Sequence, residues 1–226
     1  MIRRDYFLRM IEEFIQALAR IHSLKKGQHW QEAAVKMDAE FDRLVGTGAE
    51  AVARMSETEL LARLIKGEST LVVRDKTLML SALLKEAGDL AATKGTLEES
   101  RSCYLKGLHL VLQTLARGEI FEFPEFVPKV EVFVAALGDS PLPLETHALL
   151  MQHYERTGQF AKAEDAIFAM LDLDPVNPAI VQFGMAFYER LQTQSDASLD
   201  GGNLPRPEVE AGLAELRQRN LALSAQ

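Results

Sequence analysis

Residues 144–178 read LETHALLMQHYERTGQFAKAEDAIFAMLDLDPVNP, and this stretch decides the fold expected for the chain. Gly158 lies near its middle, and a glycine after a helix supplies the positive φ at which helices commonly end. Ala163 has a side chain small enough for two helices to cross closely. Pro175 cannot continue a helix because it lacks a backbone N–H. The stretch therefore predicts two antiparallel helices joined at Gly158.

The same stretch resembles one tetratricopeptide repeat (TPR), a pair of antiparallel helices about 34 residues long. The resemblance places these residues on the buried faces of the two helices: Leu150, Tyr154, Phe160, Ile167, Met170 and Leu171. Two positions depart from the usual repeat, since His147 stands where a large aromatic residue is usual and Met151 where a small residue is usual. A helical hairpin unrelated to the repeat is the alternative.

A second stretch, residues 81–114, gives a weaker match to the repeat when Gly95 is taken as its turn glycine. Gly88 then occupies the position that needs a small residue, but Ser100 stands where alanine is usual and no proline closes the unit. An unrelated helical hairpin is again the alternative. Gly95 and Gly158 are further apart than one repeat length of about 34 residues, so an insertion is expected between the two units.

The insertion, residues 118–143, is unusually aromatic. Its aromatic residues and prolines lie close together in the sequence: Phe121, Phe123, Pro124, Phe126 and Pro128. Proline is tolerated in the first turn of a helix, which predicts a helix from about 126 to 137. The segment either fills a gap in the core or lies in or beside a concave groove, as an exposed patch or a plug.

The N-terminal segment predicts an amphipathic helix over residues 2–24. Its apolar residues are spaced by four and three, as on one face of a helix: Phe7, Ile11, Phe14, Leu18 and Ile21. This face either packs on the rest of the domain or forms a homodimer interface.

A second helix is expected over residues 29–45, and Ser56 with Glu59 has the form of a capping box that begins another. Residues 68–74 fit either a helix start or an extended connection.

The opening residues Arg4 to Ile11, RDYFLRMI, resemble the start of a family of uncharacterised bacterial proteins of helical-repeat type. No function is assigned to that family. The resemblance therefore implies a helical fold and transfers no chemistry.

The segments together predict one all-α domain, an α-α superhelix of antiparallel TPR-like hairpins with about nine helices and no strand. Asn177-Pro178 is expected to begin a further helix, the first half of a repeat that is never completed. The expected segments are N-terminal helices over 1–67, a weak hairpin over 75–117, the insert over 118–143, the clear repeat with an extra helix over 144–194, a loop over 195–206 and a capping helix over 207–224.

Composition and charge exclude several classes of protein. The chain has 226 residues, of which 47% are apolar and 26% charged, as in an ordinary globular protein. Its net charge of −8 argues against nucleic-acid binding, which needs a basic surface. No apolar run is long enough to cross a membrane, and Arg9, Glu12 and Glu13 interrupt the apolar core that a secretory signal needs. With the single Cys103, this predicts a cytoplasmic protein with no nucleic-acid or membrane partner.

No motif has the spacing that catalysis or metal binding requires. None of the five histidines forms a metal-binding pair, and His147 and His153 are six residues apart, on different sides of a helix. Cys103 has no base at a suitable spacing. No glycine-rich phosphate loop is present. We therefore expect no catalytic residue, no metal and no cofactor.

The favoured hypothesis is a non-enzymatic interaction module, because stacked helical hairpins form a concave surface that binds peptides or proteins. In tetratricopeptide proteins the groove contacts come from solvent-facing positions of each first helix. The resemblance places these positions at Lys85, Asp89, Gln152, Glu155 and Arg156. One alternative is a structural homo-oligomer assembled through the N-terminal helix or the aromatic insert. Another is an all-helical enzyme whose site forms between distant helices.

Overall fold

The computed structural model describes residues 2–66, 69–118 and 124–224, with side chains from residue 8 onward. Every regular element in this part of the chain is an α-helix, which confirms the all-α prediction. The helices are α1 (Ile2–Lys26), α2 (Trp30–Val45), α3 (Ala49–Arg54), α4 (Glu57–Ile65), α5 (Thr70–Lys94), α6 (Leu97–Ala116), α7 (Val130–Leu137), α8 (Leu144–Arg156), α9 (Phe160–Leu173), α10 (Pro178–Leu191), α11 (Asp196–Gly201) and α12 (Arg206–Ser224).

The expected helix count of about nine was too low, because short helices lack a readable period. The described residues form twelve helices. Helices α3 and α11 have six residues each, fewer than two turns. Helix α11 lies within residues 195–206, which were expected to be a loop. It begins after Ser195, whose side chain accepts a hydrogen bond from the backbone N–H of Ser198 at 3.2 Å.

Backbone contacts divide the chain into two compact units, Met1–Ser140 and Pro141–Gln226, called unit 1 and unit 2 below. Each unit is described by itself. The single-domain organisation expected from the sequence stays a prediction.

The antiparallel pair α5 and α6 forms the centre of unit 1. Gly95 ends α5 in the left-handed conformation, with φ of 79°. The two helices approach closely, because a Cβ on Gly88 would lie 2.6 Å from the ring of Tyr104. Leucines of both helices join the core with residues of α1, α2 and α4: Leu80, Leu83, Leu84 and Leu110.

Helix α1 packs on α2 and α5 and buries its predicted apolar face. Phe14 and Ile21 are fully buried and Leu18 nearly so. The Phe14 ring meets the Phe126 ring edge-on, with centroids 5.6 Å apart. The sequence left open whether this helix face packs within the chain or forms a homodimer interface, and these side chains pack within the chain. The side chain of Phe7 lies outside the described part.

Local signals set several helix ends in unit 1. The predicted capping box is confirmed, since Ser56 Oγ accepts from Glu59 N at 3.2 Å and Glu59 Oε2 accepts from Ser56 N at 2.8 Å. Gly46 ends α2 with φ of 71°. Residues 68–74, left open by the sequence, are helical from Thr70 onward.

The helix of the inserted segment begins later than predicted, at Val130 instead of 126. Val127 precedes Pro128, and the residue before a proline is disfavoured in a helix. Val130 and Phe133 are buried, so the described part of the insert fills the core of unit 1. Two residues of the predicted aromatic cluster lie outside the described residues: Phe121 and Phe123.

Unit 2 begins with the helix pair that decided the fold in the sequence. Helices α8 and α9 meet at Gly158, whose φ is 73°. Ala163 is fully buried. The residues predicted on the inner faces are also buried: Leu150, Tyr154, Phe160, Ile167, Met170 and Leu171. Helix α9 ends at Leu173, two residues before Pro175.

Helix α10 was expected to be half of an incomplete repeat, but it packs along α12. A Cβ on Gly184 would lie 2.6 Å from a methyl group of Leu216, and a Cβ on Gly212 would collide with the hydroxyl of Tyr188. These contacts make α10 and α12 an antiparallel pair. The pairing was missed in the sequence because α11 and its turns separate the two helices.

Candidate functional site

The five predicted groove residues lie on the first helices of two helix pairs. Lys85 and Asp89 are on α5 in unit 1, and Gln152, Glu155 and Arg156 are on α8 in unit 2. The surroundings of the two groups differ, and each group is described in turn.

Lys85 and Asp89 belong to a group of ionisable side chains on α1 and α5, here called the ionic cluster: His22, Lys25, Lys85, Glu86 and Asp89. Lys25 Nζ donates to Glu86 Oε2 and to Asp89 Oδ2, each at 2.5 Å. Lys85 Nζ donates to Asp89 Oδ2 at 2.9 Å and to Glu86 Oε1 at 3.1 Å. His22 Nε2 lies 2.9 Å from Glu86 Oε1. The cluster therefore ties α1 to α5.

Tyr104 on α6 contacts the ionic cluster from the other side. Its hydroxyl donates to Asp89 Oδ1 at 2.8 Å. Ser100, one helical turn before Tyr104 on α6, donates through Oγ to the backbone oxygen of Gly88 at 2.8 Å. Burial and the hydrogen bond to Asp89 raise the pKa of Tyr104, so the hydroxyl stays protonated at neutral pH.

Opposing effects set the charges of the cluster. Burial would raise the pKa of Glu86, but the hydrogen bond and the charge of Lys25 outweigh it and lower the pKa. The pKa of Asp89 is lowered in the same way, by Lys25 and Lys85 together. Burial would lower the pKa of Lys85, but its hydrogen bond to Asp89 leads to a net rise. Two ammonium groups thus face two carboxylates at neutral pH.

This arrangement suits a structural role better than proton transfer. A general acid or base works best with a pKa near the operating pH. The pKa values of Glu86 and Asp89 are both lowered, and each carboxylate accepts hydrogen bonds from both lysines. The side chain of Glu86 is only 3% exposed. Removing a partner of the buried Glu86 carboxylate is costly, so the cluster holds α1 in one position on α5.

In unit 2, Glu155 is held by Arg190 of α10. Arg190 Nε and Nη2 donate to the two carboxylate oxygens at 2.6 and 2.8 Å, a bidentate ion pair. The hydrogen bond to Glu155 raises the pKa of Arg190. Gln152 is half-buried and Arg156 is exposed on the same helix. Glu155 therefore connects two helices, and Gln152 and Arg156 lie on the same helix with part or most of their side chains exposed.

The ion-pair partners of Asp89 and Glu155 were not predicted, although two of them leave a signal in the sequence. Lys85 and Asp89 are four residues apart, the spacing of neighbours on a helix surface. Arg190 follows Glu155 by 35 residues, close to one repeat of about 34 residues. Lys25 precedes Asp89 by 64 residues, and no local pattern connects them.

Metal-ligating side chains in the described residues do not gather into a metal site. No three His, Cys, Asp or Glu side chains there are placed to hold a metal ion. Burial raises the pKa of the Cys103 thiol to about 11, which keeps it in the unreactive protonated form. Burial lowers the pKa of His147. None of the helices in the described ranges is long and apolar enough to cross a bilayer.

Comparison with known proteins gives one match. Residues 1–220 match the model of a family that is described only as one of unknown function. This agrees with the resemblance of the opening residues to an uncharacterised family, and no repeat family is shown. No curated protein and no solved structure matches the chain.

Proposed function

We propose that this chain, which belongs to a family of unknown function (DUF6483), is a non-enzymatic module that binds a protein or peptide on TPR-like helix pairs. The observation that supports this most is the bidentate pair between Glu155 and Arg190. It joins the first helices, α8 and α10, of two consecutive pairs in unit 2. In stacked helical repeats, neighbouring units build an extended concave surface that binds partners.

The partner surface in this proposal lies on α8 beside that ion pair. Gln152 offers an amide that both donates and accepts hydrogen bonds, and Arg156 offers a guanidinium. Such groups suit the backbone and the carboxylates of an extended peptide. Lys85 and Asp89 are weaker candidates, because their side chains are only 24% and 28% exposed.

Affinity purification of the full chain, with identification of the bound proteins, tests this function. Arg156→Glu should weaken the binding of a co-purifying partner about tenfold, since a charge at an interface would be reversed. Arg219→Glu is the matched control, because Arg219 lies on α12 and pairs with Glu215 of the same helix at 2.9 Å. Circular dichroism verifies that both variants fold. Equal binding by the two variants would refute the proposed surface.

A structural homo-oligomer is the second proposal, favoured by exposed apolar residues on α1. Leu8 and Ile15 are 49% and 43% exposed, and their spacing of seven residues places them on one face. Phe14 is unsuitable for a test because it is buried in the core. The mass of the protein in solution shows whether it is an oligomer, and Ile15→Glu should dissociate an oligomer built on this face. A monomeric wild-type protein would end this second proposal.

The proposed location is the cytoplasm. Cys103 is free and buried, which fits a reducing compartment. Fractionation of the source cells tests the location, and recovery of the chain outside the cytoplasmic fraction would contradict it.

A further inference from the structure

A cavity of about 220 Å³ lies in unit 1 between α4, α5 and α6. Its walls come from the second half of α4, the first turns of α5 and the last turns of α6. It is separate from the ionic cluster and from every residue of the predicted groove.

One part of the cavity wall is apolar. Leu61, Val73 and Leu110 contribute aliphatic side chains from the three helices. Two buried threonines also line it, but Thr77 Oγ1 donates to Val73 O and Thr114 Oγ1 donates to Leu110 O, each at 2.7 Å. Their hydroxyl protons are therefore already used within the helices. A hydrocarbon chain fits this part of the cavity better than a polar group.

The other part of the cavity wall is polar, and it includes two arginines and Gln113, whose buried Oε1 accepts no hydrogen bond in the described residues. Arg74 and Arg117 line the cavity, and no Asp or Glu among the described residues does. Arg74 Nε donates to Asp75 Oδ1 at 2.6 Å, which offsets part of its charge, whereas Arg117 is exposed to solvent. Arginine forks bind carboxylates well. The two guanidinium groups favour an anionic guest, although the chain as a whole carries a net charge of −8.

The start of α5 adds to this preference. Thr70, its first residue, also lines the cavity. The side chain of Ser69, which precedes it, makes no capping hydrogen bond. The first N–H groups of a helix lack partners within the helix and carry partial positive charge, so they attract negative groups. The guanidinium groups and this helix start favour an anion, whereas the carbonyl ends of α4 and α6, which also border the cavity, favour the opposite charge.

The volume limits the size of the guest. An engineered protein cavity of about 150 Å³ takes up benzene, which has six carbon atoms. A cavity of about 220 Å³ suits a somewhat longer chain. A hydrocarbon of roughly six to ten carbons is the expected size.

We propose that this cavity binds a medium-chain aliphatic carboxylate. Its hydrocarbon chain lies against Leu61, Val73 and Leu110, and its carboxylate lies at the guanidinium of Arg117. This site is independent of the proposed partner surface on α8. The protein could therefore bind a small amphipathic acid whether or not it binds a macromolecule.

Calorimetric titration of the full chain with octanoate tests the site, with octanol as the uncharged comparison. Octanoate should bind saturably at one site, and octanol about tenfold more weakly because it lacks the charge-assisted hydrogen bonds. Arg117→Gln should weaken octanoate about tenfold and leave octanol unchanged. Arg54→Gln should change neither, since Arg54 is exposed on α3 and pairs with Glu50.

A second variant tests the cavity itself. Ile65 lines the cavity and is 51% exposed, so Ile65→Trp can fill part of the space without disturbing the core. It should abolish binding of both probes while the melting temperature stays near that of the wild type. No saturable octanoate binding by the wild type would overturn the proposal. Octanoate binding that survives both Arg117→Gln and Ile65→Trp would overturn it as well, because the ligand would then bind elsewhere.

Discussion

At the scale of single residues, Gly88 controls how closely α5 and α6 approach. The ring of Tyr104 occupies the space that a Cβ at position 88 would need, at 2.6 Å. The hydrogen bond from its hydroxyl to Asp89 holds the ring in place. Glycine inside a helix costs about 1 kcal/mol relative to alanine, so the packing of this ring must offset that cost.

Gly88→Ala should lower the free energy of unfolding by about 1–3 kcal/mol, because the added methyl group displaces a tightly packed ring. Urea denaturation measures the change. Gly201→Ala is the matched control, since a Cβ there meets no atom within 4 Å and the glycine has no positive φ. That variant should be neutral or more stable by up to about 1 kcal/mol. Similar losses in both variants would contradict the role given to Tyr104.

At the scale of elements, one side chain holds the junction of α10 and α11 to α12. Arg206, the first residue of α12, donates through Nη2 to the backbone oxygen of Gln194 at 2.7 Å. Its Nε donates to Asp196 at the start of α11. The last carbonyl groups of a helix have no partner within it, and Arg206 supplies one donor just beyond α10.

Arg206→Ala should therefore loosen this junction without unfolding the unit. Backbone amides of residues 195–204 should exchange with deuterium about tenfold faster, whereas amides of α9 should keep their protection. Mass spectrometry of exchanged peptides gives both rates. Arg217→Ala is the control, because Arg217 makes only a 3.7 Å ion pair with Glu189. Uniformly faster exchange across the unit would argue against a local effect.

The elements predicted from sequence were those with long apolar periods and marked ends. Helices α8 and α9 combine buried periodic residues with Gly158 and Pro175, and the structure forms them where expected. Helices α3 and α11 were missed because six residues give no measurable period. The start of α7 was misplaced because the effect of Pro128 on the preceding residue outweighed the apolar pattern.

At the scale of the whole molecule, lowering the pH should change the stability contributed by carboxyl groups in opposite directions in the two units. The pKa values of Glu86 and Asp89 in unit 1 are lowered, so the stability they contribute is present above their unfolded pKa, near 4.5 for glutamate, and is lost as pH falls through the folded pKa. Burial raises the pKa of Glu164 in unit 2. Its contribution is therefore present at low pH and is lost as pH rises through its folded pKa.

The double variant Glu86→Gln/Asp89→Asn should be about 3 kcal/mol less stable than the wild type at pH 7, because the ammonium groups of two lysines lose their counterions. The difference should shrink as pH falls below about 4.5, where the carboxylates of the unfolded chain take up protons first, and it should disappear as pH falls through the lowered folded pKa values. Urea unfolding between pH 3 and pH 7 measures both effects. As a comparison, Glu164→Gln should cost no stability at pH 7. Parallel pH curves for the double variant and the wild type would refute the role of the ionic cluster.

The candidate site was less predictable than the fold, because its contacts join distant parts of the chain. The sequence indicated Lys85 and Asp89 through their position on a first helix. It could not indicate that Lys25, 61 residues before Glu86, donates to both Glu86 and Asp89. Periodicity shows which face of a helix is buried, but it does not show which helix covers that face.

The same separation has a consequence for the nascent chain on the ribosome. Helix α1 is synthesised before α5, and Glu86, the ion-pair partner of Lys25, is synthesised 61 residues after it. At roughly 5–20 residues per second, Glu86 is made roughly 3–12 s after Lys25. During that interval α2 is the available cover for Phe14 and Ile21, so we expect α1 and α2 to pair before α5 emerges.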